Sequence, residues 1–138
     1  MSSGKTTVFS TDFLDYIFQA TEFPFDAITT LYVSLHTAGL LANSNQGTSE
    51  ATYTGYARVA VSRNSGGWSV SGNQAQNAGS IVFGANSGAS QTITTCGIGT
   101  ASSGAGTLLY FGDLSASVAV GTGVTPEFAL NTLAIAET

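Results

Sequence analysis

Apolar residues recur along this chain with two periods, and the change between them falls near residue 30. Before it, Phe13, Leu14, Ile17 and Phe18 follow the three-and-four spacing that puts side chains on one side of a helix, while Asp15 and Gln19 lie off that stripe. Thr11 or Asp12 is placed to cap this helix, because a side-chain oxygen there can accept from an unpaired N–H of the first turn. The spacing predicts one short α-helix near residues 12–20. Pro24 bars much continuation past Thr21, since the residue before a proline is pushed out of the helical region. Residues 1–10 are polar in the main and read as an extended N-terminal arm.

After residue 30 the period is two. Leu31, Val33 and Leu35 alternate with Tyr32, Ser34 and His36, the pattern of a half-buried strand. A loop rich in Asn, Ser, Gly and Thr follows from Gly39 to Thr54, and Tyr56 to Arg63 reads as the next strand. Asn64, Ser65, Gly66 and Gly67 have the composition of a turn, after which Trp68 and Val70 resume the alternation. Further strands are predicted at Ile81 to Phe83, Gln91 to Cys96, Thr107 to Phe111, Ser117 to Val120 and Phe128 to Ile135, separated by stretches rich in Gly, Ser and Ala. Many short strands with regular turn signals indicate an all-β fold, an antiparallel sandwich or barrel-like domain, over residues 11–138. The 17 glycines fit the tight turns and bulges of such a fold.

Composition narrows the choice of function. The 138 residues favour one domain, and 43% apolar content is enough for a core. Only 8% of residues are charged, against about 25% in ordinary soluble domains. An uncharged surface of this kind suits either a mild environment or coverage by a partner. The net charge is −5, and Lys5, Arg58 and Arg63 are the basic residues. Three scattered cations cannot neutralise a phosphate backbone, so nucleic acid is excluded as a partner. The same scarcity argues against a polybasic membrane contact. No run approaches the roughly 20 apolar residues of a membrane helix, and the start of the chain lacks the apolar core of a secretory signal. Cys96 is the one cysteine, so no intrachain disulfide can form, which fits folding in a reducing cytoplasm.

The reactive groups do not assemble into a recognisable site. His36 is the single histidine, and alternation places it outward on its strand; a serine or cysteine nucleophile would need it as a base beside partners in reach. One His and one Cys cannot supply the three or four ligands of a zinc site. Cys96 has no cation near it in sequence to lower its pKa, and reads as a small core residue. The eight acids include no pair marked as facing across a cleft, and Asp12 and Asp15 are explained by the positive end of the helix dipole. Gly97-Ile98-Gly99 lacks the third glycine of a dinucleotide fingerprint. The expectation is a protein that is not an enzyme, with no catalytic residues, no metal and no cofactor. Trp68, Tyr32, Tyr53, Tyr56 and Tyr110 could form a sugar-stacking platform, although aromatic residues in strands more often pack within or against the sheet.

Three segments carry a resemblance. Leu31-Tyr32-Val33-Ser34-Leu35-His36-Thr37-Ala38 is followed by Tyr53-Thr54-Gly55-Tyr56-Ala57-Arg58-Val59-Ala60-Val61, and then by Gly106-Thr107-Leu108-Leu109-Tyr110-Phe111-Gly112-Asp113-Leu114, with a final apolar strand. In this order, over residues 10 to 136, the chain resembles a family of small tailed-bacteriophage virion proteins labelled tail-fibre-like or capsid decoration proteins. The resemblance implies a β-sandwich virion component made in the host bacterial cytoplasm, assembled as a homotrimer and free of catalysis. The chain has no collagen-like repeat or coiled-coil shaft with which to span distance. The favoured expectation is therefore a capsid decoration, or cement, protein on the exterior of the phage head, bound to the major capsid protein. The alternative is a tail-fibre or tail-associated adhesion protein that contacts tail or baseplate proteins or a host glycan. The candidate anchors to a partner are Phe9, Phe13, Ile17, Phe18, Phe23 and Phe25, more aromatic than a surface cap requires; the competing role for the helix is to lid the sheet.

Overall fold

A computed structural model describes residues 3–137. The expected period-two segments form antiparallel strands, and the fold is all-β and sandwich-like with one short helix. In chain order the elements are β1 (Ser3–Lys5), α1 (Thr7–Gln19), β2 (Thr30–His36), β3 (Val59–Ser62), β4 (Trp68–Ser71), β5 (Gln74–Asn77), β6 (Ile81–Val82), β7 (Gln91–Gly99), β8 (Leu108–Val120), β9 (Glu127–Phe128) and β10 (Ala134–Ala136). They pair as a five-stranded sheet in the order β1-β8-β7-β2-β3, a three-stranded sheet β10-β5-β4 and a two-stranded ribbon β6-β9.

The core lies between the large sheet and the smaller elements. Val33 and Leu35 of β2 and Cys96 and Ile98 of β7 share one face, set by the registers Val33↔Ile98 and Leu35↔Cys96. They pack with Ile81, Phe83, Ile93, Val120 and Leu133, and half-buried Trp68, Phe128 and Ile135 close over them. This is the alternation read in Leu31 to Leu35, with the apolar set directed to the second layer.

The opposite face of the sheet is covered as well, which alternation does not report. The loop between β2 and β3 folds against it and brings in Leu40 and Gln46, both fully buried. Ser34, His36 and Thr95 are buried beneath this loop, so His36 does point outward from the core, as alternation places it, but into a second cover and not into solvent. Gly97 and Gly99 make the close approach possible. A Cβ on Gly97 would stand 2.7 Å from a Leu108 methyl, and one on Gly99 2.2 Å from the Gln46 side-chain carbon.

Other boundaries differ for identifiable reasons. The helix begins at Thr7 rather than near residue 12, so residues 3–10 form a short strand and a first helical turn instead of an arm; Met1, Ser2 and Thr138 lie outside the described residues. Thr6, not Thr11 or Asp12, is the cap. Its hydroxyl accepts from Phe9 N–H and itself donates to the Leu108 carbonyl 102 positions away, a tertiary tie that local pattern cannot reveal. The first turn contains no acid, so the dipole explanation of Asp12 and Asp15 does not hold; Asp15 instead presents its carbonyl to the N–H groups of Ala20 and Thr21 at the helix end. The segments expected at Thr107–Phe111 and Ser117–Val120 are one strand, β8, in which residues 114–117 stand opposite Thr94 alone as a wide bulge. The single strand expected over Phe128–Ile135 is broken by a turn at Asn131, whose φ is 61°. This frees β10 to pair with β5, a strand whose polar sequence Gln-Ala-Gln-Asn carries no apolar signal.

Candidate docking surface

Helix α1 has two apolar faces, and only one of them touches the body. Its start is fixed at three points: Thr6 N–H donates to the Leu109 carbonyl (3.1 Å), Thr6 Oγ1 to the Leu108 carbonyl (2.5 Å) and Thr7 N–H to the Ala42 carbonyl (2.8 Å). It ends at Ala20, which takes a left-handed conformation (φ 55°). Between these points the inner face is aromatic. Buried Phe9 lies 5.2 Å from the Tyr110 ring, 6.0 Å from Phe23 and 5.8 Å from Phe25, and Phe13 meets Phe9 edge-on at 6.4 Å. Tyr16 stacks on Phe23 at 5.0 Å.

Scarce cations hold this cluster in place. The Arg63 guanidinium sits 5.5 Å from the Phe25 ring centre, and its Nη1 donates to the carbonyls of Asp26 (2.9 Å) and Ile28 (3.0 Å). Lys5 lies 5.0 Å from the Phe13 ring centre and pairs with Glu137, which also accepts from the Tyr110 hydroxyl at 2.6 Å. Lys5 thus combines ring contact with an ion pair, and Arg63 combines ring contact with hydrogen bonds to backbone carbonyls.

The outer face carries Leu14 and Ile17, each 55% exposed, and Phe18, 79% exposed. At 3.6 residues per turn these three side chains are adjacent. The six candidate anchors therefore divide. Phe9, Phe13, Phe23 and Phe25 join α1 to the sheet, whereas Ile17 and Phe18 face solvent. Leu14, absent from the anchor set, completes the outer patch. The signal for it was its place in the stripe Phe13, Leu14, Ile17, Phe18, which is wide enough to supply two faces.

A second polar cluster lies under the β2–β3 loop. Arg58 grips Glu50 through two nitrogens, Nε to Oε2 at 2.7 Å and Nη2 to Oε1 at 2.8 Å, and its Nη1 donates to the Ala101 carbonyl at 2.9 Å. The Tyr56 hydroxyl donates to Glu50 at 2.7 Å and accepts from Leu35 N–H at 3.2 Å. Burial pulls the Glu50 carboxyl upward, but the Arg58 and Tyr56 hydrogen bonds outweigh it and hold the group below its ordinary 4.5. His36 bridges the Ser34 hydroxyl and the Thr48 carbonyl, both at 2.8 Å. The carbonyl fixes the proton on Nδ1, leaving Nε2 to accept from Ser34. Although a serine and a histidine are in contact, both are sealed from solvent, and burial pulls the imidazole below 6.5.

A pH dependence follows. Below pH 6.5 the unfolded chain binds a proton at His36 that the folded chain resists, so stability declines as pH falls from about 6.5 toward the lowered folded value. A second decline begins below 4.5, as Glu50 is protonated in the unfolded state first. In denaturant titrations across this range, His36→Gln, which cannot take up the proton, is expected to remove the first decline and keep the second.

The remaining candidates are placed apart. Cys96 is buried, and its thiol is pushed up to about 11 by that burial. The five aromatic residues considered as a sugar platform do not form one surface: Tyr53 and Tyr56 pack in the core beside Phe83, Tyr110 joins the α1 cluster, Tyr32 lies on β2 of the large sheet, and Trp68 belongs to the small sheet. Among the described residues no group of three His, Cys, Asp or Glu side chains is close enough to hold a metal, and no helix is long and apolar enough to cross a membrane. No curated protein matches the chain. Residues 4–136 match the family model described as Podophage GP4 fiber I protein gp80.

Proposed function

The chain belongs to the podophage GP4 fiber I protein gp80 family, and from that premise we propose that it is a fibre-associated part of the phage tail that binds its neighbour through the outer face of α1. Membership of a phage fibre-type family gives it a structural role in the virion. The finer reading rests on one observation: Leu14, Ile17 and Phe18 stand exposed on a helix whose other face is already committed to the sheet. Apolar groups gathered in this way on a soluble surface are typical of a binding site, and a short amphipathic helix laid in a partner's groove buries residues at this spacing. A role through contact is in keeping with the sealing of the Ser34–His36 pair from solvent.

A second reading, decoration of the head exterior through contacts with the major capsid protein, is favoured by the absence of a shaft-like helix or repeat among the described residues. One experiment addresses both. Phage carrying an epitope on the protein are imaged, and the particles are compared with those made by an Ile17→Ser/Phe18→Ser variant. Label confined to the tail, and lost in the variant, is the expected result. Label spread over the head supports decoration, and full incorporation of the variant overturns the role given to α1. The purified variant is expected to unfold within about 0.5 kcal/mol of wild type, because exposed side chains add little to stability.

A further inference from the structure

The two layers of the sandwich part at one end. Trp68 and Val70 share a face of β4, two residues apart, and Trp68 packs against the core on that face. Val70 is nevertheless 74% exposed. The registers Val70↔Ala75 and Ala75↔Ile135 set three aliphatic side chains in a row across the small sheet. With Leu31 of β2, Ile98 of β7 and Trp68 they line a cleft of about 880 Å³, within the roughly 300–1,000 Å³ of small-ligand sites. Two charged residues, Glu137 and Arg63, also line it. Glu137 is already matched, by Lys5 and by the Tyr110 hydroxyl. Arg63 is not: Lys5 and Arg58 have carboxylate partners, whereas Arg63 has none among the described residues, and only its Nη1 donates, to backbone carbonyls. Trp68 flanks the same β3–β4 turn as Arg63, and its Nε1 is a second donor without an acceptor, buried and unpaired among the described residues. Orphaned donors of this kind are rare and call for a partner.

We propose that this cleft takes the hydrocarbon chain of an anionic amphiphile, a long-chain carboxylate or an acidic lipid, with its head group at Arg63. The body of the ligand is set by the walls. Leu31, Val70, Ala75, Ile98 and Ile135 offer no side-chain hydrogen bonds, so a sugar ring between them would leave its hydroxyls unpaired. A peptide meets the same obstacle, because each of its residues brings an N–H and a C=O that need partners. An acyl chain brings neither. The head is set by charge. Arg63 has no counter-charge, its Nε and Nη2 are without partners among the described residues, and a guanidinium fork fits a carboxylate or a phosphate. An oxygen of the head group lodged against Trp68 would also give Nε1 its acceptor.

Trp68 is the one tryptophan, so its fluorescence reports on the cleft in the full chain. Laurate, kept below its micelle concentration, is expected to shift the emission saturably. Butyrate, which lacks the long chain, and dodecanol, which lacks the charge, are each expected to bind at least about tenfold more weakly, and Arg63→Gln to weaken laurate by a similar factor. Because Arg63 also holds backbone carbonyls, Val70→Asp supplies a second variant. At its exposed site it is expected to melt as wild type does and to abolish the shift, by setting a like charge on an apolar wall. Ile17→Ser/Phe18→Ser, altered only on α1, is expected to bind laurate unchanged. Vesicles of phosphatidylglycerol separate the sources: the same shift with them identifies an acidic lipid, and a response to laurate alone identifies a free acid. Absence of a saturable shift with laurate, equal affinity for laurate and dodecanol, undiminished binding by Val70→Asp, or loss of binding in the α1 variant overturns the proposal.

Discussion

Arg58→Ala is expected to lower the unfolding free energy by about 3–5 kcal/mol, the range for removing one partner of a buried ion pair. The Arg58 side chain is only 2% exposed and that of Glu50 18%, so the stranded carboxylate cannot recover its hydration. The loss is wider than one pair. Arg58 also satisfies the Ala101 and Gly104 carbonyls, and Glu50 positions Tyr56, whose hydroxyl receives Leu35 N–H on β2. The melting temperature should fall by roughly 10 °C for a domain of this size. The informative control is the pair Glu50→Gln/Arg58→Met. With both charges removed no uncompensated ion remains, so the double variant should be more stable than Arg58→Ala alone. A double variant that loses at least as much would mean that hydrogen bonding, not charge, is the main contribution at this cluster.

Phe83→Ala should lose about 3–5 kcal/mol in denaturant unfolding, the usual cost of deleting a buried ring whose site cannot collapse. Phe83 is fully buried, stacked nearly parallel on Tyr56 at 6.2 Å and edge-on to Phe128 at 6.3 Å. Collapse is blocked by the next residue. A Cβ on Gly84 would stand 2.0 Å from the Gly55 carbonyl oxygen, so two backbones already touch where the chain would have to move. The void would also join the cavity that Phe83 helps to line. Phe128→Ala, at a half-buried position, should cost clearly less. Equal losses at the two positions would mean that the second layer, not Phe83, limits the packing.

The strands that face the core were legible because one of their faces is apolar: Leu31, Val33 and Leu35 announce β2 by themselves. Alternation separates two faces but is silent on whether the second is covered, and this is why it puts His36 outward on its strand without revealing that it lies under Thr48 and beside Ser34. Elements fixed by distant partners were not legible. Thr6 caps α1 because Leu108 receives its hydroxyl, and β5 exists because β4 and β10 flank it. At the docking surface the residue types were readable and the division was not. Phe13 and Phe18 differ little in sequence, and only the positions of Phe23, Phe25 and Tyr110 decide which one turns inward. The order of the segments at residues 31–38, 53–61 and 106–114 carried the resemblance to phage virion proteins, in agreement with the family match over residues 4–136.

The attachment of α1 at both ends has a mechanical consequence. A pull on the helix reaches the sheet along two routes, through the Thr6 clamp into β8 and through the segment that leads to β2. These strands are separated by β7 alone, which is hydrogen-bonded to both. Tension is thereby divided over three neighbouring strands at the middle of the sheet, and detaching the helix from the sheet would require many bonds to fail together instead of one after another.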